Sequence, residues 1–171
     1  YLAKLHEAGR AGLKQDLAEA RRWTERAAQR GERKAMHNLA LYYFEGTGGP
    51  KNTTTAAQWF QRAAEMGLVD SQYNLGRLHE EGIGVPQNAA EAYRWYLIAG
   101  RAGDAEARAS AQRVKAQLSD EARVVAEKSA AAFRAATPSL AADGEKAAVA
   151  MAQKAPSRLN YYQMLGPADG A

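Results

Sequence analysis

Three tryptophans, Trp23, Trp59 and Trp95, stand 36 residues apart, and much of the chain keeps the same step. Gly31, Gly67 and Gly103 share it, as do Ala20, Ala56 and Ala92, and Ala27, Ala63 and Ala99. Asn38 and Asn74, Leu39 and Leu75, Gly46 and Gly82, and Gly48 and Gly84 are pairs with that offset. A period of this length is that of one supersecondary unit. A single such unit cannot bury its own apolar face, so a chain built on it must stack neighbours.

Each unit reads as two helices. Ala20, Trp23, Ala27 and Ala28 form one helical stripe, and Gly31 is the residue type that follows a helix end. A second helix carries Ala35, Leu39 and Tyr42 or Tyr43 and stops at Gly46-Thr47-Gly48, matched by Gly82-Ile83-Gly84-Val85-Pro86. Asp16, Asn52 and Asn88 stand where the next first helix needs an N-cap. The expected units are 16–48, 52–84 and 88–117, with residues 1–12 as the second helix and turn (Gly9-Arg10-Ala11-Gly12) of an earlier one. The last second helix is degenerate, with Ser110 and Ala111 in place of Asn and Leu. The expected fold is therefore all-α, a solenoid (α/α superhelix) of helical hairpins. Trp23, Trp59, Trp95, Leu39 and Leu75 should fill its core, and Gly31, Gly46, Gly48, Gly67, Gly82, Gly84 and Gly103 should make its turns.

Beyond the repeats, Ser119 or Asp120 caps a helix start. Ala122, Val125, Ala126, Ser129, Ala130 and Phe133 continue as a stripe, which makes 118–136 a capping helix over the last repeat. Thr137-Pro138-Ser139 breaks it, and 137–144 has the composition of a linker.

Composition narrows the function. The chain has no cysteine, so neither a disulfide framework nor a thiolate metal site is available. Its net charge of +4 lies within the first 117 residues; it suits an acidic partner but falls short of a nucleic-acid footprint. No uncharged apolar run approaches the roughly 18 residues of a spanning helix, so this segment is not expected to enter a membrane. Starting on Tyr1, the sequence reads as a piece of a longer protein. Metalloprotease, dinucleotide, P-loop and nucleophile-elbow motifs are missing. Glu80 and Glu81, adjacent on a helix, diverge too far to flank one bond. His37 and His79 are read as packing or surface groups. Catalytic residues, metal ligands and cofactors are thus all expected to be none. For a partner, the candidates are first-helix side chains beside the Trp stripe: Arg22, Gln58 and Arg94 in one register, Arg26, Arg62 and Ile98 in another. They would stack into a shallow basic track able to grip carboxylates through bidentate pairs.

One stretch of the repeat, Ala56-x2-Trp59-x3-Ala63-Ala64-x2-Gly67-x3-Ser71-x2-Asn74-Leu75-Gly76 closed by Gly82-Ile83-Gly84, resembles the Sel1-like repeat, a relative of the tetratricopeptide repeat. The resemblance covers residues 1–117 and implies a superhelix that holds partner proteins in bacterial envelope and signalling assemblies. Some secreted members carry a disulfide per repeat; without cysteine this chain is set apart from them. Residues 145–171 resemble the truncated opening of a peptidoglycan-binding domain, through Val149, Gln153, Leu159-Asn160-Tyr161-Tyr162 and Gly166-Pro167-Ala168-Asp169-Gly170. Asn160 there replaces the usual glycine, and Pro156 interrupts the helix. Repeats, linker and such a domain in that order resemble the periplasmic end of proteins that organise a bacterial cell pole. The implied role is a non-catalytic scaffold in the periplasm, its parent anchored in the inner membrane at a pole by one transmembrane helix. Its partners would be envelope proteins, with peptidoglycan reached through the completed C-terminal domain. The competing readings are an inhibitory regulator of a sensor kinase and a peptidoglycan-binding module.

Overall fold

The computed structural model describes the backbone of residues 2–136, side chains from Asp16 onward, and Arg158 and Leu159. The proposed linker 137–144 and nearly all of 145–171 lie outside the described residues. Among these residues every element is helical: α1 (Leu2–Gln29), α2 (Arg33–Glu45), α3 (Thr53–Glu65), α4 (Val69–Glu81), α5 (Ala89–Arg101), α6 (Ala105–Lys115) and α7 (Asp120–Ala132). Consecutive helices pack on one another from α1 to α6, and α7 folds back onto α5.

Hydrogen bonds repeat with the sequence. Glu32 N–H donates to Ala27 O at 3.2 Å, Leu68 to Ala63 at 3.1 Å and Asp104 to Ala99 at 3.2 Å. This bond spans a glycine in the left-handed region and ends each odd-numbered helix of the repeats. The longer turns also match: Asn52 N–H reaches Tyr43 O and Asn88 N–H reaches His79 O, both at 2.8 Å. The Asn52 and Asn88 side chains then cap α3 and α5 by accepting from Thr55 and Glu91 N–H at 3.1 Å. Ser119 caps α7 through Ala122 N–H, also at 3.1 Å. The seven turn glycines all have positive φ, from 71° to 108°.

The N-terminus departs from the expected hairpin. α1 runs unbroken through Gly9–Gly12 and through Asp16, which is therefore helical rather than a cap. The cause is legible position by position. Arg10 stands where Gly46 and Gly82 end their helices, and Lys14 where Pro50 and Pro86 follow. Neither the left-handed stop nor the proline break is present, so the helix continues.

Packing also departs from expectation for the indoles. Leu39 and Leu75 are fully buried and Trp95 is 1 % exposed, but Trp59 is half-buried and Trp23 is 49 % exposed. Trp95 owes its cover to the far end of α7: the Phe133 ring meets it edge-on, with centroids 5.7 Å apart. No described residue does this for Trp23. The core comprises Leu41, Phe44, Phe60, Leu75, Leu78 and Trp95, with Tyr73, Tyr93, Tyr96 and Val114 making a second cluster toward α6 and Leu39 packing with Met36 in a third.

A polar cluster joins α4, α5 and α6. Tyr96 Oη donates to Glu80 at 2.7 Å, and Arg113 grips the same carboxylate with both guanidinium nitrogens. Burial alone would push the Glu80 carboxyl up. The bonds from Arg113 and Tyr96 outweigh it and hold the group below its usual value. Burial pushes His79 down, against the opposing pull of Glu91 and a backbone bond with Pro86.

Two predictions follow from these contacts. A Cβ at Gly84 would be driven into the Thr53 carbonyl, whereas one at Gly103 meets nothing within 4 Å; both have positive φ. Gly103→Ala should cost about 1–2 kcal/mol of backbone strain, and Gly84→Ala about 2–5 kcal/mol once overpacking is added. Urea unfolding checks this, and equal losses would contradict it. A histidine with a lowered folded pKa loses stability as pH falls below its usual 6.5. A carboxylate with a lowered pKa adds a further loss as pH falls below its usual 4.5. Glu80→Gln should lower stability at neutral pH and flatten only that second, more acidic limb. An unchanged slope below about pH 4.5 would refute the assignment.

Candidate protein-interaction faces

The residues nominated as a basic track lie on α1, α3 and α5, and the structure divides them. Arg22 is exposed, with its guanidinium 3.5 Å from Glu19. Arg26 is exposed and lies over the Trp23 ring at 5.0 Å. Gln58 is exposed, and Arg62, also exposed, lies over the Trp59 ring at 4.5 Å. Each indole with its arginine thus forms a cation–π pair, worth about 0.5–1 kcal/mol at an exposed site. The third unit breaks the series. Arg94 lies over Trp95 at 4.7 Å, but its Nε donates to Ser129 Oγ of α7 at 2.7 Å, and Ile98 is 3 % exposed. Arg94 and Ile98 are thus turned to packing, while Arg22, Arg26, Gln58 and Arg62 remain exposed.

The second face is built from even-numbered helices. Asp70 and Glu106, one repeat apart, occupy the first turns of α4 and α6, where the helix dipole favours negative charge. Lys34 holds that place in α2. Asp104 caps α6, one carboxylate oxygen accepting from Ala107 N–H at 3.3 Å. Into this notch comes Arg158. Its Nε is 2.9 Å from Asp70, its Nη2 2.8 Å from Asp104 and its Nη1 3.3 Å from Glu106. The guanidinium carbon lies 4.7 Å above the centre of the Tyr73 ring. Burial works against this charge, but the bonds to Asp104 and Asp70 outweigh it and raise the guanidinium pKa. The next residue turns inward. Leu159 is 2 % exposed and joins the main core, and its N–H donates to Asn74 Oδ1 at 3.1 Å.

Leu159 falls within the stretch that resembles the truncated opening of a peptidoglycan-binding domain, and no motif in the sequence singles out Asp70, Asp104 or Glu106. Acids in the first turns of α4 and α6 were visible in the pattern. Their convergence was not, because it needs two helix starts side by side and a residue from much later in the chain. His37 is buried, its Nδ1 2.6 Å from Ser71 Oγ, which ties α2 to α4. Among the described residues no group of three or more His, Cys, Asp or Glu could hold a metal ion, and no helix is long and apolar enough to cross a membrane.

Comparison with known proteins agrees with this architecture. The Sel1 repeat matches residues 1–32, 33–68 and 69–104. That phasing pairs α2 with α3 and α4 with α5, each even-numbered helix leading its unit. The chain is 56 % identical over 177 residues to the localization factor PodJL of Caulobacter vibrioides, in strain NA1000 / CB15N and equally in strain CB 15. The alignment covers 99 % of this chain and 18 % of that protein, so the chain spans under a fifth of the relative's length. The crystal structure of a Sel1 repeat protein from Oxalobacter formigenes is 39 % identical, with a TM-score of 0.53 over 55 % of this chain and 38 % of the other. A protective antigen present in uropathogenic Escherichia coli strains, displaying an SLR fold, is 24 % identical. It superposes with a TM-score of 0.64 over 87 % of this chain and 31 % of its own, a likeness of fold.

Proposed function

The chain belongs to the Sel1 repeat family, and from that premise we propose that it is a non-catalytic protein-interaction scaffold on the periplasmic side of a bacterial cell pole. The observation that carries this reading is the 56 % identity, over 99 % of the chain, to a localization factor. The parent would be anchored in the inner membrane, and the repeats would present a surface to envelope proteins. The first-helix face supplies the chemistry. Arg22, Arg26 and Arg62 offer guanidinium groups to acidic side chains, with Trp23 and Trp59 beside them as rigid aromatic ground. Catalysis would need converging acid and base groups, and the partly buried carboxylate of Glu80 is spent on Tyr96 and Arg113 in holding three helices together.

The test uses a fluorescent fusion of residues 1–171 exported to the periplasm of Caulobacter vibrioides. It should gather at a pole, and the Arg22→Glu, Arg26→Glu, Arg62→Glu variant should spread evenly with its helical circular dichroism unchanged. A uniform wild-type signal, or a variant that still gathers, would reject the reading. Soluble fragments released from peptidoglycan by the purified chain would reject its non-catalytic part.

A further inference from the structure

We propose that the notch made by Asp70, Asp104 and Glu106, with Tyr73 and Asn74, is a recognition site for an extended peptide in which an arginine precedes an apolar residue, and that the chain's own Arg158–Leu159 occupies it as a resident competitor. The site lies on the even-numbered helices, apart from the Arg22–Arg62 face, so its failure would leave the scaffold reading standing.

Four features of one dipeptide are read at once. Three carboxylates surround the guanidinium, and the Tyr73 ring lies beneath it. The following side chain enters a slot that leaves it 2 % exposed. The backbone N–H between them goes to the Asn74 amide. A lysine carries its three N–H donors on one nitrogen, so it could not serve acceptors that each face a different nitrogen, nor lay a planar group on the ring. Reading a main-chain N–H through a side-chain amide is how an extended segment is held without regard to its other side chains.

A second observation extends the site. Asn38, one repeat before Asn74, is 2 % exposed, and among the described residues neither its Oδ1 nor its Nδ2 has a hydrogen-bond partner. Such an amide is costly to leave buried and unpaired. The His37–Ser71 bond makes α2 and α4 neighbours. A longer peptide anchored at Asn74 and continuing toward α2 would meet this second amide, one repeat away.

The occupancy is intramolecular, so an incoming peptide meets a site that is free only for the fraction of time the tail is away. Its apparent affinity is reduced by that fraction. The ion pairs are partly exposed, the Arg158 side chain at 29 %, so salt weakens them.

The experiment follows the fluorescence anisotropy of a labelled synthetic peptide with the sequence of Ala155–Tyr162, titrated with the full chain. Arg158→Ala and the double variant Arg158→Ala, Leu159→Ala should bind it at least about tenfold more tightly than wild type. Adding Asp70→Asn and Asp104→Asn should abolish the gain, as should glutamate at the arginine position of the peptide. Asn38→Ala should weaken a peptide lengthened toward α2 and leave a four-residue peptide unaffected. If the double variant loses helical circular dichroism, Arg158→Ala alone decides. Equal affinity of wild type and Arg158→Ala, or binding insensitive to the aspartate changes, overturns the proposal.

Discussion

Helices in this array touch at the level of the first side-chain carbon. Ala27, Ala28, Ala35, Ala40, Ala56, Ala63, Ala64, Ala92 and Ala99 are all completely buried, and Gly76 lies so close under Tyr96 that a Cβ there would come within 2.8 Å of the ring. Small residues at these places let the backbones approach, and close packing then fixes where each large side chain can go. Phe44, Phe60, Leu75 and Leu78 fill the few wider gaps. Trp23 and Trp59, on the odd-numbered helices, stand beside Arg26 and Arg62.

Local signals were well legible in the amino-acid sequence. Gly46, Gly48, Gly82 and Gly84 announce turns by their chemistry, and Asn52, Asn88 and Ser119 announce caps, because each effect acts over three or four residues. The same logic, applied position by position, accounts for α1: Arg10 and Lys14 lack what stops α2 and α4. The fate of the tryptophans was not legible in this way. Trp23, Trp59 and Trp95 share a register, and the fully buried one is the one that meets the Phe133 ring. Repetition reports what the units have in common; burial depends on what lies over them.

That asymmetry gives the array two unlike surfaces. The odd-numbered helices carry Arg22, Arg26 and Arg62 in the open, while α4 and α6 begin with Asp70, Asp104 and Glu106 around a guanidinium. The acids are where helix starts favour them, so the notch costs little in local stability. The candidate contacts on the first face were read from residues beside the Trp stripe. The second face could not be, since Arg158 and Asp70 are 88 positions apart and nothing periodic connects them.

Asp104 divides its carboxylate between two tasks, one oxygen closing the start of α6 and the other holding Arg158. The lodger in the notch and the firmness of the last hairpin are therefore coupled through a single side chain. Reciprocity of binding free energies makes the coupling run both ways: whatever steadies α6 strengthens the grip on a guest, and whatever loosens that grip is felt at the end of the array farthest from Trp23.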